Sequence, residues 1–182
     1  PSRTGQLPAE LQCVREGQAT VQDEASMHII DLLDPKPGER ILDVCAAPGG
    51  KTTAIAERMN DEGTVIGHDR TPEKLRNIEN NAARLRLNSI STAAVLPPPN
   101  ETPFDRVLVD APCSGLGTLR RHPEIRWRFR ADDLRALTRT QTKVLKAGLD
   151  RLKPGGTLVY SVCTNTKAEA EEILESAEGF EI

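Results

Sequence analysis

Two of the four cysteines, Cys13, Cys45, Cys113 and Cys163, sit where a thiol could do chemistry. Cys113 lies in Asp110-Ala-Pro-Cys-Ser-Gly-Leu-Gly117, directly after the apolar run from Phe104 to Ala111. Small residues and a proline flank it, so it should be exposed and rigidly held. Cys163 lies in Ser161-Val-Cys-Thr164, after a second apolar run from Thr157 to Val162. If these runs are neighbouring strands, both thiols face one cleft. Packing explains Cys13 and serves as well as function for Cys45. A converging pair is harder to explain that way. There is no Cys-x-x-Cys pair, and no histidine stands at ligand spacing, so no metal site is expected. A thiol in such a place is a nucleophile once ionised.

A second stretch should bring a cofactor to those thiols. Ile41 to Val44 reads as a short strand, Ala46 to Gly50 is a run of small residues, and a helix pattern follows. A strand, a tight turn and a helix N-terminus let a ligand meet free backbone N–H groups. An ordinary turn would not need two adjacent glycines after Ala-Ala-Pro. A phosphate loop requires Gly-x-x-x-x-Gly-Lys-Ser/Thr. Gly50-Lys51-Thr52 supplies its end, but Cys45 stands at the first glycine. The dinucleotide pattern Gly-x-Gly-x-x-Gly is also absent. The third reading is S-adenosylmethionine, whose amino and carboxylate groups would lie at this first turn. Its ribose would meet Asp69, which ends the second strand 20 residues after Gly49. The competing reading of Asp69 is a helix cap.

Thiols beside a methyl donor suggest methylation of a pyrimidine at C5. That carbon is not nucleophilic in the ground state. A thiolate adding to C6 makes an enamine, and C5 then attacks the methyl group. A base removes the C5 proton and the thiol departs. Asp110 is placed to hydrogen-bond the base, and Lys51 to add positive charge. A turn cap is the plainer role for Asp110.

Helices and strands alternate in the order needed to position these groups. A helix is expected over 22–33, a strand over 41–47, a helix from Thr52 to Met59, a strand from Thr64 to Asp69 and a helix from Pro72 to Leu87. A weak strand at 90–95, a strand at 104–111, a helix from Asp132 to Leu152, a strand at 157–162 and a helix at 167–176 follow. Lys153 to Gly156 reads as the stop of the long helix, and Phe180 to Ile182 as the start of another strand. This alternation predicts a doubly wound, mostly parallel α/β sheet, with ligands beyond the carboxyl ends of the strands. Residues 1–20 read as a connector or flap, and 21–182 as the catalytic domain.

The 182 residues suffice for one such core, which buries roughly 70% of the unfolded surface. A net charge of −3 argues against a protein that binds nucleic acid everywhere by charge, but not against a local basic site. Residues 120–130 are such a site: five arginines lie with His122, Trp127 and Phe129. Arg120, Arg121, Arg126 and Arg128 would contact phosphates and Trp127 would stack on a base. The plainer reading is a solvated loop with Trp127 half-packed. No signal peptide or transmembrane run is visible, so a cytoplasmic protein with reduced thiols is expected.

These residues resemble a family. Asp-Val-Cys-Ala-Ala-Pro-Gly-Gly-Lys-Thr (43–52), Asp-Ala-Pro-Cys-Ser-Gly (110–115), Gly-Thr-Leu-Arg-Arg-His-Pro-Glu-Ile-Arg-Trp (117–127) and Tyr-Ser-Val-Cys-Thr (160–164) are similar to Fmu/Sun-type RNA cytosine-5 methyltransferases. Val-Gln-Asp-Glu-Ala-Ser (21–26) is similar to the start of that family's catalytic domain. The resemblance implies a Rossmann-like methyltransferase fold, S-adenosyl-L-methionine as cofactor and RNA as partner, with ribosomal RNA the expected substrate. It also implies that Cys163 is the nucleophile and that Cys113 assists release of the methylated base. The resemblance further implies that the methionine part of the cofactor lies against Cys45, Ala46, Ala47, Pro48, Gly49, Gly50 and Lys51 and its ribose on Asp69, with Asp110 between cofactor and base. A single-stranded or flipped cytosine and a monomeric protein are expected.

Two departures stand out. The family has an acid after the third strand, near the adenine, where this chain reads Val95-Leu-Pro-Pro-Pro-Asn-Glu101. Adenine contacts there would rest on backbone groups or Glu101. The family's sheet also continues through two more strands, which would begin about where this chain stops. The rival functions are an RNA-binding assembly factor that keeps the fold without catalysis, a transfer-RNA methyltransferase, and methylation of DNA or a small molecule.

Overall fold

The computed structural model describes residues 11–99, 103–177 and 179. The helices are α1 (Gln12–Arg15), α2 (Glu24–Leu33), α3 (Gly50–Arg58), α4 (Pro72–Leu85), α5 (Ile125–Arg128), α6 (Ala131–Leu149) and α7 (Glu171–Glu175). The strands are β1 (Arg40–Asp43), β2 (Thr64–His68), β3 (Ile90–Ala93), β4 (Phe104–Asp110) and β5 (Leu152–Ser161). They form one parallel sheet in the order β3-β2-β1-β4-β5. The expected α/β class and the expected pairing of β4 with β5 are both present. Crossovers run one way from β1 through β2 to β3, and the other way from β4 to β5. The switch falls between β1 and β4, so their carboxyl ends leave a crevice.

Side-chain alternation divides the core between the two faces of the sheet. On one face Ile41, Val65 and Leu108 pack with Ile30 and Leu33 of α2 and Ile55, Ala56 and Met59 of α3. On the other, Leu42, Val107 and Val109 pack with Val144 of α6 and with Leu158 and Tyr160 of β5. Asp43 follows Ile41 on the α3 face and is 1% exposed. The start of α2 is fixed by the Asp23 side chain, which accepts from the Ala25 N–H at 3.0 Å.

The structure differs from the sequence expectation in four places. β1 ends at Asp43, and residues 44–49 are turn, because the backbone there leaves the ladder to form the crevice. Lys153 to Gly156 is no helix stop: it lies inside β5 as a bulge, with Phe104 opposite Leu152 and Arg106 opposite Thr157. The expected helix at 167–176 is a 3-10 turn at Lys167–Glu169 followed by α7. Within the expected N-terminal connector, residues 11–20 contain α1 and are strapped to α4. Arg84 donates to the carbonyls of Val14 and Ala19, at 2.6 and 3.1 Å, and to Thr20 Oγ1 at 3.2 Å. Glu101 and the strand expected from Phe180 lie outside the described residues.

Candidate active site

The turn after β1 is held from both sides. The Val44 N–H donates to Leu108 O of β4 at 2.9 Å, and the Ala46 N–H to His68 O of β2 at 3.0 Å. Gly49 has φ +104, and a Cβ there would lie 3.0 Å from the Ile78 Cα of α4. Only glycine lets the turn close against that helix. The turn opens on a cleft of about 90 Å³ lined by Gln22, Asp43, Cys45, Ala46, Ala47, Pro48, Gly50, Lys51 and Asp110. Seven of the expected residues thus meet in one place. Gly49 and Asp69 lie outside this lining. Asp69 instead accepts from the Thr71 N–H at 3.3 Å and pairs with Lys74 at 3.3 Å, so it also serves the start of α4.

Gln22 and Asp43 were not expected in the cleft. Their sequence signal was present, since both stand in quoted motifs, but which side chains would turn inward was not. Each carries a buried atom without a hydrogen-bond partner: Gln22 Nε2, a donor, and Asp43 Oδ1, an acceptor. Asp43 Oδ2 accepts from Thr52 Oγ1 at 2.7 Å. Burial pushes the Asp43 carboxyl up to about 7, against the hydrogen bond from Thr52. An orphaned donor and an orphaned acceptor on two residues that line one cleft suit a zwitterionic α-amino acid, such as the methionine end of S-adenosylmethionine. Burial and then the Asp43 charge push the Cys45 thiol up to about 12, which disfavours a thiolate there.

Lys51 Nζ donates to Asp110 Oδ2 at 2.6 Å, and Ser161 Oγ donates to Asp110 Oδ1 at 2.7 Å. The two residues expected to serve the base therefore hold each other, and Asp110 caps no turn with its side chain. Beyond them the thiols converge. Cys113 Sγ and Cys163 Sγ are 3.1 Å apart, and the Cys163 N–H donates to Cys113 Sγ at 3.2 Å. One proton of this pair leaves easily and the other is held. The S–H of Cys113 stabilises a Cys163 thiolate, bringing Cys163 down to about 6 against the cost of burial. Cys113 is driven well above the ordinary thiol range by the same contact. The two loops are also pinned by the Gly117 N–H, which donates to Cys163 O at 3.1 Å.

Residues 112–130 contain a 3-10 turn, Leu116–Thr118, and α5. Arg120, Arg121, Arg126 and Arg128 are exposed. Trp127 is 87% exposed, not half-packed. Arg121 forms an ion pair with Asp23, the cap of α2 and the neighbour of Gln22, which ties the segment to the rim of the cleft. Among the described residues no group of three or more His, Cys, Asp or Glu could hold a metal ion, and no helix is long and apolar enough to cross a membrane.

A family profile described as 16S rRNA methyltransferase RsmB/F matches residues 30–178. The chain belongs to the RsmB/F family. Its resemblance to Fmu/Sun-type enzymes is thereby borne out, and S-adenosylmethionine dependence comes with the family. The probable ribosomal RNA small subunit methyltransferase B of Synechocystis is 44% identical over 179 residues, 95% of this chain and 40% of that protein. The ribosomal RNA small subunit methyltransferase B of Vibrio cholerae is 42% identical over 93% of this chain and 39% of that protein. The RsmB/F chain described here therefore spans about two fifths of the length of these curated relatives. Among solved structures, NSun6 from Pyrococcus horikoshii with SFG superposes with a TM-score of 0.81 at 32% identity, covering 92% of this chain and 44% of that one. A methyltransferase homologue from the same organism gives a TM-score of 0.80 at 33% identity, covering 93% and 54%. An S-adenosylmethionine-dependent O-methyltransferase from Thermotoga maritima, at 19% identity and a TM-score of 0.59, shares the fold.

Proposed function

We propose that this chain is the catalytic domain, residues 21–182, of an enzyme that methylates cytosine C5 in ribosomal RNA through a covalent cysteine–C6 adduct. The observation that carries the reading is the contact of 3.1 Å between Cys113 and Cys163 beside the cofactor cleft. An RNA-binding factor without catalysis needs neither thiol.

The methionine end of S-adenosylmethionine would rest on the 45–51 turn, with Asp43 accepting from its ammonium and Gln22 donating to its carboxylate. Asp69 would accept from the ribose hydroxyls. When bound, S-adenosylmethionine supplies the methyl group. Cys163 enters as the thiolate and forms the Sγ–C6 bond, which moves the electron pair of the C5–C6 double bond toward N3. Lys51 draws charge toward that side of the ring, and Asp110 accepts from the base. Once Cys163 is bonded to carbon it no longer needs the Cys113 S–H. Cys113 is then free to ionise, take the C5 proton, and let the Sγ–C6 bond break. The 120–130 segment would hold the RNA strand, with arginines on phosphates and Trp127 on a neighbouring base.

The test is transfer of labelled methyl groups to small-subunit ribosomal RNA by the full-length protein. Cys163→Ala is expected to abolish transfer and keep cofactor binding. Cys113→Ala is expected to accumulate a slow-migrating protein–RNA adduct. Substantial transfer by Cys163→Ala overturns the nucleophile assignment, and label on a base other than cytosine overturns the reaction.

A further inference from the structure

The Glu169 carboxylate has no part in the chemistry above, yet it is completely buried. It receives four hydrogen bonds from three separate segments. Its Oε1 accepts from the Ser114 N–H at 2.8 Å and from Gln141 Nε2 of α6 at 3.0 Å. Its Oε2 accepts from Ser114 Oγ at 2.6 Å and from Thr166 Oγ1 at 2.8 Å. Burying a charge without partners is costly, and here the donors are neutral dipoles. Those hydrogen bonds hold the carboxyl below its ordinary range, although burial opposes them.

The segments so joined are the ones that carry the thiols. Ser114 is next to Cys113. Thr166 belongs to the loop that begins at Cys163, and Ser114 Oγ also meets Thr164 Oγ1 at 2.9 Å. Gln141 fixes the same loop from behind by donating to Pro112 O at 3.0 Å. The backbone of Glu169 is itself anchored, since Tyr160 OH donates to its carbonyl at 2.9 Å. This inward turn is where the expected helix at 167–176 breaks into a 3-10 turn and α7.

We propose that Glu169 is a positioning residue that clamps the Cys113 loop to the Cys163 loop and so sets the contact between the two thiols. The role rests on the reading of those thiols as the reacting pair. Without the clamp, four donors lose their acceptor and the loops are free to separate. The Cys163 thiolate then loses the S–H that stabilises it.

The proposal is tested on thiol properties, apart from turnover. In a Cys13→Ser background the rate of alkylation of Cys163 by iodoacetamide is followed against pH, with bridging of the pair by dibromobimane as the measure of proximity. Glu169→Ala is expected to lower alkylation at neutral pH roughly tenfold or more, as the thiol returns toward its ordinary range, and to abolish bridging. Glu169→Gln is expected to stay within about threefold of the parent. Its carbonyl can accept from Ser114 N–H and Gln141, and its amide can donate to two hydroxyls that accept as readily as they donate. S-adenosylmethionine binding by calorimetry serves as the fold control. If Glu169→Ala fails to fold, Ser114→Ala with Thr166→Val removes both hydroxyl donors and should show the same loss in weaker form. Unchanged alkylation and bridging in the folded variants overturn the clamp, and so does a Gln variant as impaired as Ala. Lost thiol contact with full methyl transfer would leave the clamp standing and refute the covalent reading.

Discussion

Asp43→Asn should stabilise the empty protein in alkaline solution. Asp43 is 1% exposed, and one of its oxygens has no partner. Its carboxyl titrates at about 7 in place of 3.8. The native state therefore holds this proton more tightly than the unfolded chain does. Stability is present at low pH and drains away as the pH rises from about 4 to about 7. The interval corresponds to roughly 4 kcal/mol. Part of it has already gone at about pH 5, so roughly 3 kcal/mol remains to be lost by about pH 8. Asparagine has nearly the same shape, can accept from Thr52, and carries no charge to bury. Guanidinium unfolding of both proteins at about pH 5 and about pH 8 isolates the effect. The stability of the variant relative to the parent should rise by about 3 kcal/mol between the two. Cofactor affinity should move the other way, falling about tenfold or more as a charged acceptor for the ammonium is lost. A relative stability that does not change with pH would refute the reasoning, for it would mean that Asp43 meets water or a counter-charge.

The remaining predictions concern the cofactor, the nucleophile and the RNA. Asp69→Ala should weaken S-adenosylmethionine binding roughly 10- to 100-fold in calorimetry, the scale of lost hydrogen bonds to a carboxylate. Methyl transfer should fall as the pH drops through about 6, where Cys163 takes up its proton, and level off above. A single-turnover pH profile flat through that range would contradict the thiolate assignment. Trp127→Ala should leave the unfolding midpoint unchanged, since the side chain is 87% exposed, and weaken RNA binding by about 1–3 kcal/mol. Filter binding at fixed salt measures this.

The sheet was readable because the central parallel strands are short apolar runs, and the runs of β1, β2, β4 and β5 each lead into a candidate site residue. The turn at 45–51, Asp110 and both cysteines were readable for the same reason. What escaped depends on partners distant in sequence. Lys153 to Gly156 carries the composition of a helix stop, and only its pairing opposite Phe104 and Arg106 makes it a bulge. Gln22 faces the cleft because α2 is docked beside the turn after β1. Glu169 looked like one more acid on an acidic helix, and nothing local says that Ser114 and Gln141 will reach it. Arg121 read as one of several phosphate contacts, yet it is paired with Asp23.

The Lys51–Asp110 pair lines the cleft proposed for the cofactor and also stands at the place proposed for the target base. A shared wall would make the two ligands thermodynamically dependent. Any factor by which bound cofactor strengthens or weakens RNA binding must appear, unchanged, in the effect of RNA on cofactor binding. Spent cofactor differs from fresh cofactor in the charge at its sulfur, a few bonds from this wall. On the proposed function, the two forms of the cofactor would couple differently to RNA, and release of the two products would be a linked equilibrium.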